Sequence, residues 1–435
     1  MVTTATDYSQ SIAPGKLFIN GEWRDSQDGS TKPTINPANE AETTQIAQAT
    51  EADVNAAVEA AHNAFEDGPW SKMSPHERGH LLIKVSDLIM QHKDELAYRE
   101  TIDNGKPITY SSTVDVPFAA EVYAYYGGIA NKIEGNTRSA MVPSLNYTRR
   151  EPMGVVTAIT PFNFPLLQSA TKIAPALAAG NTVIHKPASM TPLTAIKIAE
   201  LFAEAGIPEG VFNLITGSGG KIGDIISKHP GIDKISFTGS TSVGIGIVEK
   251  SAQTLKHLTM ELGGKSANII FADADMEGAA KNAFFGIFYN KGEICTAGSR
   301  LLIERSHYDE VVERLVQLIA DTPKGDPLDP KVQFGPLADQ SQMETVTKYV
   351  QYGQEDGATL HTGGKRFSPE GSNGRGFYYE PTIFTHARND MRIAKEEIFG
   401  PVLTVIPFDL EEDAITIAND SMYGLVVQKT PEQSG

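Results

Sequence analysis

The sequence predicts an α/β protein in which a largely parallel sheet is covered by helices on both faces. Between Gly154 and Ala252, short apolar segments typical of buried strands alternate with amphipathic segments typical of helices. A second run of this kind begins with a strand at 268–271 and a helix at 276–288, and it continues toward the end of the chain. At about 150 residues per domain, 435 residues suggest two or three domains.

Each part of the chain contributes its own elements. After a loose lead-in, residues 17–23 predict a hairpin whose turn is Asn20-Gly21. Two helices then begin at Thr50, with a capping-box pattern, and at Ser74, which is followed by Pro75. Residues 129–149 place Gly, Asn, Ser and Pro between short β-like pieces, so we expect a projecting hairpin that contacts another subunit. The α/β region predicts strands at 155–159, 182–185, 211–215 and 234–237, and helices at 166–179, 192–205, 221–227 and 241–252.

Composition and charge exclude several kinds of partner. Hydrophobic residues make up 40% of the chain and charged residues 21%, which is typical of a globular protein with an ample core. The formal net charge of −17 argues against a nucleic-acid or anionic-membrane partner. No apolar run approaches the ~20 residues needed to cross a bilayer, and residues 1–13 lack the features of a secretion signal. We therefore expect a cytoplasmic protein.

Cys295 is the only cysteine, so it can form neither an internal disulfide nor a multi-cysteine metal site. An inert buried thiol is the commoner role of a free cysteine, and a nucleophile is the alternative. The small residues that follow it, Thr296-Ala297-Gly298-Ser299, and chemically suited residues upstream favour the nucleophile. We predict no metal site.

Two upstream residues could assist such a nucleophile. Glu261, 34 residues before Cys295, lies in an apolar, glycine-rich segment where a carboxylate can have a raised pKa and act as a general base. Asn163 lies between two prolines, and a rigidly held amide is a good oxyanion donor. A capping or ion-paired Glu and a turn-forming Asn are the alternatives.

A nucleotide site is indicated by two strand ends. The segment Phe237–Gly244 follows a strand and opens a helix, so it predicts either a phosphate site or a capped tight turn. Lys186 ends another strand and could bind ribose hydroxyls or phosphate, although a solvated surface lysine is commoner. The glycine-rich segments 217–223 and 263–266 resemble nucleotide-binding motifs but lack their spacing.

Taken together, these segments resemble the NAD(P)-dependent aldehyde dehydrogenase superfamily from about Leu17 to Leu425. The resemblance is specific because seven segments occur in the family's order: PFNFPL (161–166), GNTVIHKPAS (180–189), FTGSTSVG (237–244), MELGGKSANII (260–270), GEICTAGSR (292–300), EEIFGPV (396–402) and NDSMYGL (419–425).

The resemblance implies a covalent mechanism. Cys295 would attack the aldehyde as a thiolate, and Asn163 together with the Cys295 backbone amide would hold the oxyanion. Hydride transfer to the nicotinamide would leave a thioester, which water activated by Glu261 would hydrolyse to the acid. Lys172 matches a family lysine to which a proton-relay role is sometimes given.

For the cofactor, NAD or NADP, the resemblance implies a set of binding residues. Lys186 would contact the adenine ribose, Gly239 and Ser240 the pyrophosphate, and Glu397 the nicotinamide ribose. Phe399 would pack near the ring, Phe162 stands where the family often has Trp, and Thr160 belongs to the same site. Ser189 replaces a Glu that many NAD-specific members carry, so we expect NADP to be tolerated beside NAD.

The resemblance also implies a substrate tunnel lined by Phe164, Gln168, Thr171, Ile294 and Thr296. Because Gln168 and Thr171 are often Met and Trp in enzymes for apolar aldehydes, we expect a more polar or roomier tunnel. Lys291 replaces a common Gln, and the sequence offers no account of it.

The implied architecture is a Rossmann-like cofactor-binding domain in two parts (1–128 and 150–262), an oligomerisation hairpin (129–149) and a catalytic domain (263–435). Full-length relatives are homodimers or homotetramers. Residues 426–435 are polar and unlike the family, which we interpret as a premature end that removes the C-terminal part of the catalytic domain.

Three other functions compete with the hydrolytic dehydrogenase. A truncated, catalytically impaired relative would explain the unusual ending. A CoA-acylating dehydrogenase would release the thioester to CoA, but such enzymes generally lack the base that Glu261 supplies. A cysteine hydrolase without cofactor would leave the nucleotide motifs unexplained and has no histidine placed by motif beside Cys295.

Overall fold

The computed structural model describes residues 8–429, so parts of the predicted lead-in (1–7) and of the polar ending (430–435) lie outside the described residues. The strands are β1 (Leu17–Ile19), β2 (Glu22–Arg24), β3 (Thr31–Asn36), β4 (Ala41–Ala47), β5 (Thr137–Arg138), β6 (Asn146–Tyr147), β7 (Val155–Ile159), β8 (Thr182–Lys186), β9 (Phe212–Leu214), β10 (Lys234–Thr238), β11 (His257–Glu261), β12 (Ala267–Ile270), β13 (Arg300–Glu304), β14 (Thr359–Thr362), β15 (Thr382–Thr385), β16 (Val402–Phe408) and β17 (Val427–Lys429).

The α-helices are α1 (Glu51–Glu66), α2 (Pro69–Lys72), α3 (Pro75–Gln91), α4 (Lys93–Asn104), α5 (Ile108–Tyr110), α6 (Val116–Ile129), α7 (Pro165–Ala178), α8 (Leu193–Ala205), α9 (Gly219–Lys228), α10 (Thr241–Ser251), α11 (Met276–Phe288), α12 (Tyr308–Asp321), α13 (Gln340–Glu355), α14 (Arg392–Lys395) and α15 (Glu411–Asn419). A π-helical turn (Ser111–Asp115) joins α5 to α6, and short 3₁₀ turns lie at Ser9–Ser11, Ala130–Lys132, Tyr289–Gly292 and Arg305–His307.

The first sheet has the strand order β11-β10-β7-β8-β9-β1-β2. Strands β7 to β11 are parallel, as predicted, whereas the predicted hairpin β1–β2 joins them as an antiparallel edge. Asn20 and Gly21 both have positive φ, at 54° and 79°, as a two-residue hairpin turn requires. Strand β11 was not predicted, because an edge strand that alternates half-buried and exposed residues has no continuous apolar run.

Helices cover both faces of this sheet. Successive residues of β8 point to opposite sides, so Val183 belongs to the core that includes α3, α6, α7 and α8, and Ile184 belongs to the core that includes α1 and α9. Helix α1 begins at the capping box of Thr50 and Asp53, and α3 begins at that of Ser74 and Glu77, as their patterns predict.

The second sheet has the order β14-β15-β16-β13-β12-β17 and is parallel except for β14. Helices α11 and α12 pack on one face, and α13 and α14 pack on the other. The second βα run of the sequence therefore forms a second layered α/β unit.

Strands β5 and β6 form a hairpin inside residues 129–149, where the sequence predicts one. The hairpin segment exposes apolar side chains, including Leu145 at its tip at 78% and Tyr147 in β6 at 64% of full exposure. Among residues 8–429, no helix is long and apolar enough to cross a membrane.

The register of the first sheet places the candidate residues at the carboxyl ends of its parallel strands. Ile159 lies opposite Lys186, and Thr238 lies opposite Glu261, so the carboxyl ends of β7, β8, β10 and β11 are level. Loops that leave these ends carry Asn163, Ser189 and Gly239. This is the edge at which open parallel sheets bind ligands.

Candidate active site

Two cavities meet at Cys295. One, of about 400 Å³, is bounded by residues of the first sheet's edge and of the loop before β16: Pro161, Phe162, Asn163, Gln168, Ala188, Thr238, Gly239, Ser240, Leu262, Gly263, Cys295, Gln342, Thr345, Glu397, Ile398 and Phe399. The other, of about 670 Å³, is lined by Phe164, Leu167, Gln168, Asn268, Asn282, Phe285, Gly286, Tyr289, Ile294, Cys295, Thr296 and Gln428. The thiol is thus reachable from two sides, as a group that reacts between two bound molecules must be.

The backbone before the thiol is bent into an uncommon conformation. Asn290, Lys291 and Gly292 have φ values of 44°, 59° and 75°, three consecutive residues in the left-handed region. Only the glycine adopts this region at no cost. Such a turn persists where the surrounding structure holds it, and it aims the following residues, Glu293 to Cys295, toward Asn163.

Burial raises the pKa of the Cys295 thiol, and the negative charges of Glu397 and Glu261 raise it further. The backbone amides of Cys295 and Thr296 oppose this shift, because they hydrogen-bond to the sulfur and stabilise the thiolate. These amides supply the donors that an anion formed at this place needs.

Asn163 is buried and held by the loop that carries the thiol. Its side-chain Nδ2 donates to the backbone carbonyl oxygen of Glu293 at 2.8 Å. Its backbone carbonyl oxygen accepts from Asn290 Nδ2 at 2.9 Å. An amide nitrogen has two protons, so one remains for an oxygen atom in the cavity that Asn163 and Cys295 both line.

Glu261 lies at the end of the edge strand β11 and is exposed, which corrects the expectation of an apolar turn. Met260 and Leu262 pack against the core on one face of the sheet, whereas Glu261, between them in the alternation, faces solvent. Its charge nevertheless reaches both Cys295 and Lys172. Burial lowers the pKa of Lys172 to about 8, against the opposing charges of Glu261 and Cys295.

The 400 Å³ cavity has the features of a dinucleotide cleft. Ser240 caps α10, whose free first-turn amides suit a phosphate, and a Cβ at position 239 would lie 2.5 Å from the Phe237 ring. Phe162 and Phe399 form an edge-to-face pair with ring centroids 5.5 Å apart. Glu397 accepts a hydrogen bond from the Gly264 amide at 3.0 Å. These residues fit a nicotinamide dinucleotide, and five predicted cofactor residues line this cavity: Phe162, Gly239, Ser240, Glu397 and Phe399.

Three predicted cofactor residues lie beside this cavity and do not line it. Burial lowers the pKa of Lys186 to about 8, and its Nζ donates to the Pro187 carbonyl, so it is not a solvated surface lysine. Ser189 donates to the Gly217 carbonyl at 2.8 Å. Thr160 is buried against the His185 ring, with its hydroxyl 3.0 Å from Nε2, and so faces away from the cavity.

Segment 217–223, whose spacing departs from the dinucleotide motif, begins beside a predicted cofactor residue in the structure. A Cβ at position 219 would lie 3.7 Å from Lys186 Nζ, so the start of α9 and Lys186 border one space. The loop follows β9, whereas the α10 segment follows β10. This loop lies near Lys186 because β8 and β9 are neighbours in the sheet, and the spacing of glycines in the sequence does not show that.

The 670 Å³ cavity contains four of the five predicted substrate residues: Phe164, Gln168, Ile294 and Thr296. Thr171, about one helical turn from Gln168, is exposed, its hydroxyl donates to the Gln168 carbonyl, and it is not among the residues that line this cavity. The cavity also has Tyr289, Phe285, Asn268 and Asn282, which the sequence motifs did not indicate.

The structure gives Lys291 a definite environment. The side chain is buried at 1% exposure and extends away from the thiol, with Nζ 2.8 Å from Asn104 Oδ1 and 3.1 Å from Glu293 Oε2. Burial lowers its pKa and the charge of Glu293 raises it.

Comparisons with known proteins agree with this site. The aldehyde dehydrogenase family model matches residues 23–428. An aldehyde dehydrogenase of Aspergillus niger is 47% identical over 413 residues, which cover 95% of this chain and 82% of that protein. The NAD⁺ complex of an aldehyde dehydrogenase from Bacillus cereus is 44% identical, with a TM-score of 0.95 and coverage of 100% of this chain and 87% of that one.

An indole-3-acetaldehyde dehydrogenase mutant from P. syringae, solved with NAD⁺ and IAA, is 41% identical. Its TM-score is 0.96, and the match covers 100% of this chain and 88% of that one. These likenesses confirm the fold class and the nicotinamide cofactor that the sequence predicts. The chain belongs to the aldehyde dehydrogenase family, and it is an oxidoreductase that oxidises an aldehyde with NAD(P) as the hydride acceptor.

Proposed function

We propose that the chain converts an aldehyde to the carboxylic acid by hydrolytic, non-acylating chemistry in which Cys295 is the nucleophile. The observation that carries this proposal is the position of Cys295 where the 400 Å³ and 670 Å³ cavities meet. One cavity has the residues for a dinucleotide, and the other can admit an aldehyde.

In the first half-reaction, the Cys295 thiolate adds to the aldehyde carbon and forms a thiohemiacetal. The free proton of Asn163 Nδ2 and the Cys295 amide donate to the carbonyl oxygen as it becomes negative. Held donors of this kind stabilise a developing oxyanion without reorganising at the moment of reaction. A nicotinamide held in this cleft would supply the hydride acceptor, so that oxidation of the thiohemiacetal carbon would leave a thioester on Cys295.

In the second half-reaction, Glu261 takes a proton from water, which attacks the thioester and releases the acid and the thiol. An exposed carboxylate at a strand end has room to rotate toward Cys295, whose pKa its charge already influences. Burial lowers the pKa of Lys172 to about 8, so its ammonium can release a proton near neutral pH.

Cofactor choice follows from position 189. Glu397 and Phe399 would hold the nicotinamide end, Gly239 and Ser240 the pyrophosphate, and Lys186 the adenine ribose. The Ser189 hydroxyl is bonded to Gly217 and carries no charge, so it offers no repulsion to a 2′-phosphate. We therefore propose that NADP is used beside NAD.

The substrate cavity favours an aldehyde with both apolar and hydrogen-bonding parts. Phe164 and Tyr289 supply aromatic walls, whereas Gln168, Asn268 and Asn282 supply amides. Such a mixture supports the prediction of a more polar tunnel than one lined by Met and Trp. The P. syringae neighbour, named for an indole aldehyde, has a substrate that combines these two characters.

Three further expectations remain proposals. The division into a two-part cofactor-binding domain (1–128 and 150–262), a hairpin (129–149) and a catalytic domain (263–435) is supported by the two separate sheets. The exposed apolar tip of the hairpin supports a homodimer or homotetramer. A single, unpaired cysteine is consistent with a cytoplasmic location.

The test is the absorbance of reduced nicotinamide while the purified chain meets a panel of small aldehydes with NAD and, separately, NADP. We expect turnover that Cys295→Ala abolishes while cofactor binding, measured by fluorescence quenching, is retained. In Glu261→Gln, hydride transfer should occur once and a Cys295 thioester should accumulate, visible as added mass. Wild-type turnover in either variant would refute the assigned role.

A further inference from the structure

A buried network connects Lys291 to the loop that carries Asn163. The Lys291 ammonium donates to the backbone oxygen of Asn104 at 3.1 Å and to its Oδ1 at 2.8 Å, and it pairs with Glu293 Oε2 at 3.1 Å. Asn104, the last residue of α4, donates in turn from Nδ2 to the Phe162 carbonyl at 2.8 Å. One amide side chain therefore binds the nucleophile loop on one side and the residue before Asn163 on the other.

The connection closes on itself through the two loops. Asn163 donates to the Glu293 carbonyl, and Asn290 donates to the Asn163 carbonyl. The side chain of Glu293 also accepts from the Ala338 amide at 3.0 Å, which anchors it to a third segment. Hydrogen bonds thus join residues 290–293 directly to residues 162–163. Both loops are also hydrogen-bonded, through Lys291 and Asn104, to the end of α4.

This network acts on the strained turn. Lys291 is itself one of the two non-glycine residues with positive φ in the turn before Cys295. Its buried bonds offset the cost of that conformation, because an alternative backbone would leave both the ammonium and the Glu293 carboxylate buried without partners. The conformation in turn sets where the Cys295 amide points relative to Asn163 Nδ2.

Direct electrostatic control of the thiol does not explain this arrangement. The charges that shift the pKa of Cys295 are those of Glu397 and Glu261, and Lys291 is not among its main causes. The charged groups around Lys291 are Glu293, Lys106 and Asp115, of which Lys106 pairs with Asp115 and lies 3.9 Å from the Phe164 ring. The cluster therefore faces the protein interior behind the site.

We propose that Lys291 and Asn104 are positioning residues that hold the two oxyanion donors, Asn163 Nδ2 and the Cys295 amide, at one separation. This inference rests on the roles proposed above for Cys295 and Asn163. It assigns a function to a lysine that does not line the substrate cavity and is not a main cause of the shift in the pKa of the Cys295 thiol.

The test separates oxyanion stabilisation from thiol reactivity. In Lys291→Met, the rate of the pre-steady-state burst of reduced nicotinamide should fall by about 10- to 100-fold, because a displaced donor no longer meets the oxyanion. Alkylation of Cys295 by iodoacetamide, which forms no oxyanion, should stay within about twofold of wild type. Cofactor affinity should be unchanged.

Companion variants keep the test decisive if Lys291→Met folds poorly. Lys291→Gln retains amide donors for Asn104 and should give an intermediate burst rate. Asn104→Ala should slow the burst as Lys291→Met does, and the double variant should be slower than either single by no more than about twofold, since both break one network. Lys197→Met is the control, because Lys197 is a largely buried, ion-paired lysine, 3.1 Å from Glu95 and 3.0 Å from Glu200, that lines neither cavity.

The result that overturns the proposal is a wild-type burst rate in both Lys291→Met and Asn104→Ala. An equal loss in Lys197→Met would also overturn it, because general destabilisation would then account for the effect. Asn163→Ala is measured in parallel. A wild-type burst in that variant refutes the oxyanion role of Asn163, whereas a slow burst there with fast Lys291 and Asn104 variants refutes the positioning role alone.

Discussion

Replacing Gly264 by Ala should damage catalysis through the backbone of the nucleophile. Gly264 is buried, and a Cβ built on it would lie closer to the Cys295 carbonyl oxygen than the 3.0 Å below which real Cβ contacts essentially never occur. Restoring ordinary contact at 3.4 Å requires a shift of about 1 Å, and both atoms in conflict belong to, or are fixed to, the main chain. A rotamer change cannot absorb it.

The magnitude follows from that shift. Misplacing catalytic groups by about 1 Å can cost roughly 100-fold in rate, so we expect kcat of Gly264→Ala to fall by about that factor. Crowding in a packed region should also lower the free energy of unfolding by about 1–3 kcal/mol. The assays are steady-state kcat, thermal unfolding and titration of Cys295 with a thiol reagent.

The control is Gly128→Ala in α6, where an added Cβ meets nothing within 4 Å. Because alanine favours a helix over glycine, that variant should be stabilised by about 0.5–1 kcal/mol with unchanged kcat. A kcat of Gly264→Ala within about twofold of wild type would refute the reasoning. So would an equal loss in the control.

Other predictions follow from the charges and caps already described. In Glu397→Gln, loss of the carboxylate that raises the thiol's pKa should lower the pKa of Cys295, so the pH profile of iodoacetamide alkylation should move to lower pH; an unmoved midpoint would contradict this. Ser189→Glu should reduce kcat/KM for NADP relative to NAD by about tenfold, through repulsion of the 2′-phosphate, and an unchanged ratio would count against the site assignment. Thr50→Ala removes a capping box with Asp53 and should cost about 1 kcal/mol of stability by chemical denaturation, with normal kcat; no shift in the midpoint would show that the cap contributes nothing.

Local patterns in the sequence predict many of the strands and helices of the fold. The strand at Val155–Ile159 and the helix at Met276–Phe288 have the predicted bounds, because continuous apolar runs and helical periodicity are properties of neighbouring residues. Strand β11 escaped prediction for the opposite reason: its alternating, half-exposed residues become a strand only beside β10. Pairing partners that lie far apart in sequence are invisible to local patterns.

For the site, the motifs around Asn163, Gly239, Cys295 and Glu397 indicated groups that the fold brings to the cavities meeting at Cys295. For Thr171 the motif gave a position on α7, and only the structure shows that the residue is exposed and not among those that line the cavity. Lys291 had no account from sequence at all, since its partner Asn104 lies 187 residues away.

The sequence by itself determined the class of fold, the family and the chemical groups available for catalysis. Each of these depends on residues that are adjacent or regularly spaced along the chain. Tertiary structure alone decided which side of Cys295 meets which cavity, that Glu261 faces solvent, and that Lys291 holds Asn104. Those outcomes depend on sheet order, on the register of parallel strands and on burial, which arise only when distant segments pack together.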